Sequence, residues 1–116
     1  MHDTEIQIAV GKSRYEKQWK NQSLMWSAFL DKLCDTYRTR ETMSEYLKLT
    51  KKKQDDIKDI GGFVGGQLKD GRRLDTNVLS RSLVTLDVDY APDDFWDEID
   101  LLYGNACCMY STHKHR

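Results

Sequence analysis

The chain has 116 residues and a formal net charge of -1, with 39% hydrophobic and 32% charged side chains. That length holds one small domain and excludes a second core, a transmembrane bundle or a repeat array. Three Trp, six Tyr and three Phe argue for a folded chain despite the heavy charge.

In chain order, Glu5-Ile6-Gln7-Ile8-Ala9-Val10 begins as a polar/apolar alternation and predicts a half-buried strand stopped by Gly11. Trp26, Phe29, Leu30, Leu33 and Tyr37 follow helical spacing, which predicts a helix over roughly 22–38 with Asn21 or Ser23 as its cap. A shorter helix is expected over Thr42–Leu49, with Met43, Tyr46 and Leu47 on one face. The charged run from Thr50 to Lys58 reads as a solvated helical turn capped by Thr50, or as a phosphate-contacting lysine cluster. Three adjacent lysines cannot all face one way on a helix, which favours the first.

Gly61-Gly62-Phe63-Val64-Gly65-Gly66 is followed by Gln67-Leu68, not by the Gly-Lys-Ser/Thr of a P-loop. The glycines fit a bulged strand, or a place where another backbone or a ligand comes close. Asp70-Gly71 is a turn signal, and Arg72-Arg73 should sit on an exposed loop. Ser82 to Asp89 reads as a strand with Leu86 and Val88 on one face and Thr85, Asp87 and Asp89 on the other. Pro92-Asp93-Asp94 opens a helix whose buried stripe is Phe95, Trp96, Ile99, Leu102 and Tyr103, ended by Gly104. Ala106 to Thr112 reads as a buried strand emerging at an edge. The fold class expected is α+β: one domain over 1–116, a small sheet with covering helices, with an N-terminal strand and helix in 1–42.

Residues 1–81 carry 16 Lys+Arg against 12 Asp+Glu, and residues 82–116 carry 2 against 7. A basic first part beside an acidic last part suits a protein that holds a polyanion in one place and a cation in another, or two halves that attract each other. Cys34, Cys107 and Cys108 are an odd set with a strained vicinal pair, and Met1 to Glu5 is polar. These features, and no apolar run near the ~20 residues of a membrane span, lead to the expectation of a reduced, cytoplasmic protein without membrane contact.

Asp87 and Asp89, two apart on a strand, would present both carboxylates on one face and ask for a cation; Mg2+ or Mn2+ suits hard oxygen donors. Ser111 and His113 are likewise two apart, and a hydroxyl beside an imidazole can donate to the phosphates of a nucleoside triphosphate. Arg81 could neutralise a phosphate or the carboxylates. Cys107, Cys108, His113 and His115 make a poor zinc set, because vicinal residues on a strand face opposite ways.

The run from Lys58-Asp59-Ile60-Gly61-Gly62-Phe63-Val64-Gly65-Gly66, through Asn77 to Asp87-Val88-Asp89-Tyr90, to Tyr110-Ser111-Thr112-His113-Lys114-His115 resembles the start of the catalytic domain of archaeo-eukaryotic-type primase-polymerases. The versions encoded by phages and integrated mobile elements look most similar. The likeness covers roughly residues 43–116. It implies that Asp87 and Asp89 are metal-binding catalytic residues, and that Ser111 and His113 contact the incoming nucleotide. It also implies attack of a 3′-hydroxyl on an α-phosphate with divalent-metal assistance. The family takes a third acid from a later strand, which nothing after His113 matches. The expectation is therefore an N-terminal segment of a replication primase-polymerase, binding metal and nucleotide weakly and making little product alone. The alternative is a non-catalytic phage-derived module that binds nucleic acid or protein, with Lys51–Lys53, Arg72, Arg73 and Arg81 as the basic surface. Single-stranded DNA is a further expected partner, as is a second copy paired through an exposed sheet edge.

Overall fold

Alternation places a strand at the start of the chain. The computed structural model, which describes residues 3–102 and 106–111, has β1 over Glu5–Gly11. The chain divides into two compact units, Met1–Val84 and Thr85–Arg116. The first unit contains a three-stranded antiparallel sheet of order β2-β1-β3, with β2 at Lys20–Met25 and β3 at Gly62–Val64. Helices α1 (Trp26–Leu33), α2 (Met43–Leu47) and α3 (Lys51–Lys58) complete the α+β architecture of this unit.

β1 is the central strand and uses both faces. Ile6 and Ile8 are buried with Phe29, against which Val10, Leu24, Trp26, Leu33, Phe63 and Leu83 pack. Phe29 meets Phe63 edge-on at 5.0 Å between ring centroids, the geometry that the ring quadrupoles favour. Ala9, odd in the alternation, is buried with Trp19 and Leu68, with Val64 beside them. Period-two geometry assigns these clusters to opposite faces.

The helix expected over 22–38 is shorter, because β1 needs a partner. Residues 20–25 pair with it in register Ile6↔Leu24 and Ile8↔Gln22, and only from Trp26 does the chain turn helical. Asn21 and Ser23 are therefore strand residues. The cap comes from Asp3, 24 residues away in the chain. Its carboxylate accepts from the backbone N–H of Ser27 at 3.0 Å and from the Ser27 hydroxyl. That bonding holds the Asp3 carboxyl below its ordinary value. Trp26 N–H donates to the Thr4 carbonyl at 2.7 Å. α1 ends at Leu33, and Tyr37 stands exposed beyond it.

α2 begins where expected, at a reciprocal cap. Thr42 Oγ1 accepts from Glu45 N–H at 3.1 Å, and Glu45 Oε2 accepts from Thr42 N–H at 2.9 Å. Tyr46 is fully buried, but Leu47, expected beside it, is 60% exposed. α3 starts at Thr50, whose hydroxyl accepts from Lys53 N–H at 3.4 Å. Gln54 is buried between the two helices, and its amide donates to the carbonyls of Tyr46 and Leu49 at 3.0 and 3.2 Å. It thus satisfies carbonyls that the end of α2 leaves without an intrahelical partner.

The acids of α3 fasten the loop after β1. Arg14 Nη2 donates to Asp56 Oδ1 at 2.8 Å, and Arg14 N–H to Asp59 Oδ2 at 2.8 Å. Asp55 lies 3.4 Å from Arg14, 2.9 Å from Lys51 and 3.0 Å from Lys58. Lys51 and Lys58 thus spend their charge on their own helix. Hydrogen bonds from Lys51 and then Lys58 lower the Asp55 carboxyl to about 2 from 3.8, against a smaller opposing effect of burial.

The glycine-rich segment is where another backbone comes close. A methyl group on Gly66 would stand 1.7 Å from the Ser80 carbonyl oxygen, and one on Gly65 2.8 Å from that of Leu83. Gly65 O accepts from Ser82 and Leu83 N–H at 2.7 and 3.0 Å, and Ser80 Oγ accepts from Gln67 N–H. Leu68 and Val78 form an isolated bridge, and Leu79 N–H donates to Gln67 O at 2.9 Å. Between them, Lys69–Gly71 makes a 3-10 turn with left-handed Asp70 (φ 56) and Gly71 (φ 66), the residue pair suited to that geometry.

In the second unit, α4 spans Phe95–Leu102, begun by Phe95 N–H to Pro92 O at 3.0 Å. Phe95 and Ile99, one turn apart, are half-buried, while Trp96 is exposed. Tyr103 and Gly104 lie outside the described residues. Among the described residues no helix is long and apolar enough to cross a membrane.

Gly66→Ala should destabilise the first unit by about 3 kcal/mol, because the obstacle is backbone rather than a mobile side chain. Gly62→Ala meets nothing within 4 Å and should change stability by less than about 0.5 kcal/mol. Urea unfolding of the two variants checks the contrast, which equal midpoints would refute. The Asp55 carboxylate, depressed in the folded state, contributes stability in full above 3.8 that is lost as pH falls toward 2. The melting temperature should therefore drop more steeply between pH 4 and pH 2 in the native chain than in Asp55→Asn, as followed by circular dichroism.

Candidate functional site

The acidic pair is reached through the contact between Gly65-Gly66 and residues 80–83. Ser82 Oγ accepts from Gln7 N–H of β1 at 3.0 Å, and Leu83 packs on the Ile6–Ile8–Phe29 cluster. Asn21 braces the same region from β2. Its side-chain amide donates to Leu68 O and accepts from Leu68 N–H, both at 2.9 Å, standing in for a strand neighbour. The backbone just before the candidate residues is therefore tied to the sheet at several points.

From Val84 onward that support ends. Residues 83–88 are not in a ladder, and Val84 and Leu86 are 81% and 74% exposed. The strand expected over 82–89 is thus not formed. Its alternation is genuine, but a strand exists by virtue of a neighbour, and the described residues supply none. Asp87 is exposed in this extended stretch. Asp89 is exposed at a turn with Tyr90, whose φ is 58. The shared sheet face expected for the two carboxylates is accordingly absent.

The strand expected over 106–112 is also absent in 106–111, where every residue is exposed and Ser111 is in no regular element. Thr112 and His113 lie outside the described residues, as do Lys114 and His115. Arg81 is exposed and belongs to the first unit, whereas Asp87, Asp89 and Ser111 belong to the second. Among the described residues, no hydrogen bond or ion pair engages Asp87, Asp89 or Ser111, and no group of three or more His, Cys, Asp or Glu could hold a metal. Cys34, Cys107 and Cys108 are exposed.

What the residues offer is chemical rather than preassembled. Two carboxylates, close in sequence and paired with no cation among the described residues, can supply hard oxygen ligands to Mg2+ or Mn2+. A magnesium ion is commonly held by one or two carboxylates, with waters and substrate phosphates completing the shell. The donor set fits such an ion bound together with a nucleotide. It does not fit a closed all-protein cage.

The sequence reading overlooked Arg14 and Lys17 as members of a charged surface. With Glu16, Arg72, Arg73 and Leu74 they line an open groove in the first unit. The pairing of Arg14 with Asp55 and Asp56 spans some 40 positions of chain and left no periodic signal. Arg72 and Arg73 were recognisable as exposed because the Asp70-Gly71 turn precedes them.

Compared with known families, the whole chain, residues 1–116, matches the VapE N-terminal domain. No curated protein and no solved structure matches it. The chain belongs to the VapE N-terminal domain family, which is associated with phage and mobile-element replication.

Proposed function

We propose that this VapE N-terminal domain forms the opening part of a primase-polymerase catalytic unit, binding a divalent ion and a nucleoside triphosphate for template-directed nucleotidyl transfer. The observation that carries the reading is the lock between Gly65-Gly66 and residues 80–83, through Gly65 O to Ser82 and Leu83 N–H. It joins two motifs of the primase-like run that are well apart in sequence, and it fixes the backbone four residues before Asp87. Membership in a replication-associated family supports the same reading.

In this proposal Asp87 and Asp89 hold Mg2+ or Mn2+ through carboxylate oxygens. When bound, the ion lowers the pKa of the attacking 3′-hydroxyl and stabilises charge developing on the α-phosphate. Ser111 and His113 donate hydrogen bonds to phosphate oxygens of the nucleotide. Asp87 and Asp89 repel each other when both are ionised, so they gain more from a divalent cation than either would alone. The carboxylates lie in a segment with exposed apolar side chains and no ladder, and this segment would gain order on engaging metal and nucleotide.

Calorimetric titration of a nucleoside triphosphate in the presence of Mn2+ tests this. The native chain should bind, and Asp87→Asn/Asp89→Asn should weaken binding by about tenfold or more, since both metal donors lose their charge. Both proteins should behave alike in EDTA. Identical isotherms for the two proteins in Mn2+ would overturn the proposal.

A further inference from the structure

The loop after β1 and the turn at residues 69–74 meet in a groove of about 170 Å³ lined by Arg14, Glu16, Lys17, Arg72, Arg73 and Leu74. That volume is below the roughly 300 Å³ at which small-molecule pockets begin. Its lining is dominated by cations, and Glu16 is the one carboxylate among those six residues. Arg14 is committed to Asp55 and Asp56, but among the described residues Lys17, Arg72 and Arg73 pair with no acid.

The frame beneath them is fixed. Trp19 N–H donates to Gly71 O at 2.7 Å, and the Gln18 side-chain amide donates to Asp70 O at 2.9 Å. A methyl group on Gly71 would meet Gln18 and the Trp19 carbonyl at 2.2 and 2.5 Å, so the two loops touch backbone to backbone. The Arg73 guanidinium rests 4.9 Å from the Trp19 ring centroid. The left-handed Asp70 and Gly71 turn the chain so that Arg72 and Arg73 follow at once on the surface. Cations unpaired yet held on a rigid backbone have their ordering cost met before a ligand arrives.

Beside the cations lies exposed ring and aliphatic surface. Tyr15 is 62% exposed, with the Arg14 guanidinium 4.8 Å from its ring centroid, and Leu74 is 54% exposed. Guanidinium and ammonium groups that track a phosphodiester chain, next to an exposed aromatic ring, suit an unpaired strand whose bases are free to stack. A duplex, with its bases already stacked, would use only the charges.

We infer that this groove binds single-stranded nucleic acid, with Lys17, Arg72 and Arg73 on the backbone phosphates and Tyr15 against a base. The inference stands apart from the metal and nucleotide reading. It needs no divalent ion, and it involves the first unit only.

Fluorescence anisotropy with a labelled oligothymidylate and an oligouridylate of about 15 nucleotides tests it on the full chain, with EDTA present throughout. Binding of either strand, falling steeply with salt, is the expected result, and the tighter of the two identifies the nucleic acid. Arg72→Gln/Arg73→Gln should weaken binding about tenfold and lower the slope of log affinity on log salt by about 1.4, roughly 0.7 per lost contact. Because Arg73 also contacts Trp19, Lys17→Gln serves as a second variant, expected to lower the slope by about 0.7. Tyr15→Ala should weaken single-strand binding while leaving weaker duplex binding as it was. Affinities unchanged in both charge variants would overturn the inference. So would a duplex that binds as tightly as the single strands.

Discussion

Everything in the first unit depends on β1 being buried on both faces. Ile6 and Ile8 point to the Phe29 cluster, and Ala9 between them points to Trp19 and Leu68. A one-residue slip against β2 or β3 would exchange the faces and set Ile8 where the methyl of Ala9 now lies. The fit on the Ala9 side is close, since Ala9 is fully buried and Trp19 nearly so. Trp19 holds Gly71 by its backbone and Arg73 by its ring. The choice of a small residue at position 9 therefore propagates to the basic surface.

Regular structure is sparse, and polar side chains complete what ladders do not. Asp3 caps α1, Asn21 pairs with the backbone of Leu68, and Gln54 satisfies the end of α2. Asp59 receives Arg14 N–H, Ser80 receives Gln67 N–H, and Ser82 receives Gln7 N–H. Each of these supplies a side-chain partner for a backbone group, and most of them reach it from a distant part of the chain. The series stops at Leu83, whose N–H donates to Gly65 O. Among the described residues no backbone–backbone bond joins the stretch from Val84 to Ala91 to another part of the chain.

Local rules were readable in the sequence, and nonlocal ones were not. The alternation of β1, the Thr50 cap, the Asp70-Gly71 turn and the helix after Pro92 are each decided by a few neighbouring residues. The close approach at Gly65-Gly66 was also legible, as one of the alternatives that adjacent glycines allow, although its partner was not. β2 was hidden because Gln22 and Leu24 alternate too briefly to outweigh the helical spacing that begins at Trp26. Pairing with β1 decided it. Conversely, Leu86 and Val88 alternate well and yet form no strand, since pattern shows which side is apolar but not whether a neighbour exists. The Arg14 clamp and the Asp3 cap were invisible for the same reason. For the candidate site, the donor types could be read from the sequence, whereas their assembly could not, and His113 lies outside the described residues.

The charge asymmetry gains meaning from the division of the chain. Residues 82–84 are Ser-Leu-Val and carry no charge, so the change from a basic to an acidic balance at residue 81 coincides with the boundary after Val84. Within the first unit the acids are not spread evenly. Asp55, Asp56 and Asp59 gather on α3 and its end, where they take up Lys51, Lys58, the Arg14 guanidinium and the Arg14 backbone. That concentration leaves Lys17, Arg72 and Arg73 without acids of their own among the described residues, with Lys17 on the loop that the same acids hold through Arg14. The second unit has the opposite arrangement, with Asp87 and Asp89 paired with no cation among the described residues and more acids at Asp93, Asp94, Asp97, Glu98 and Asp100. Here the positive surplus and the negative surplus are kept on separate units, an arrangement that suits the proposed binding of a polyanion by one and a metal cation by the other.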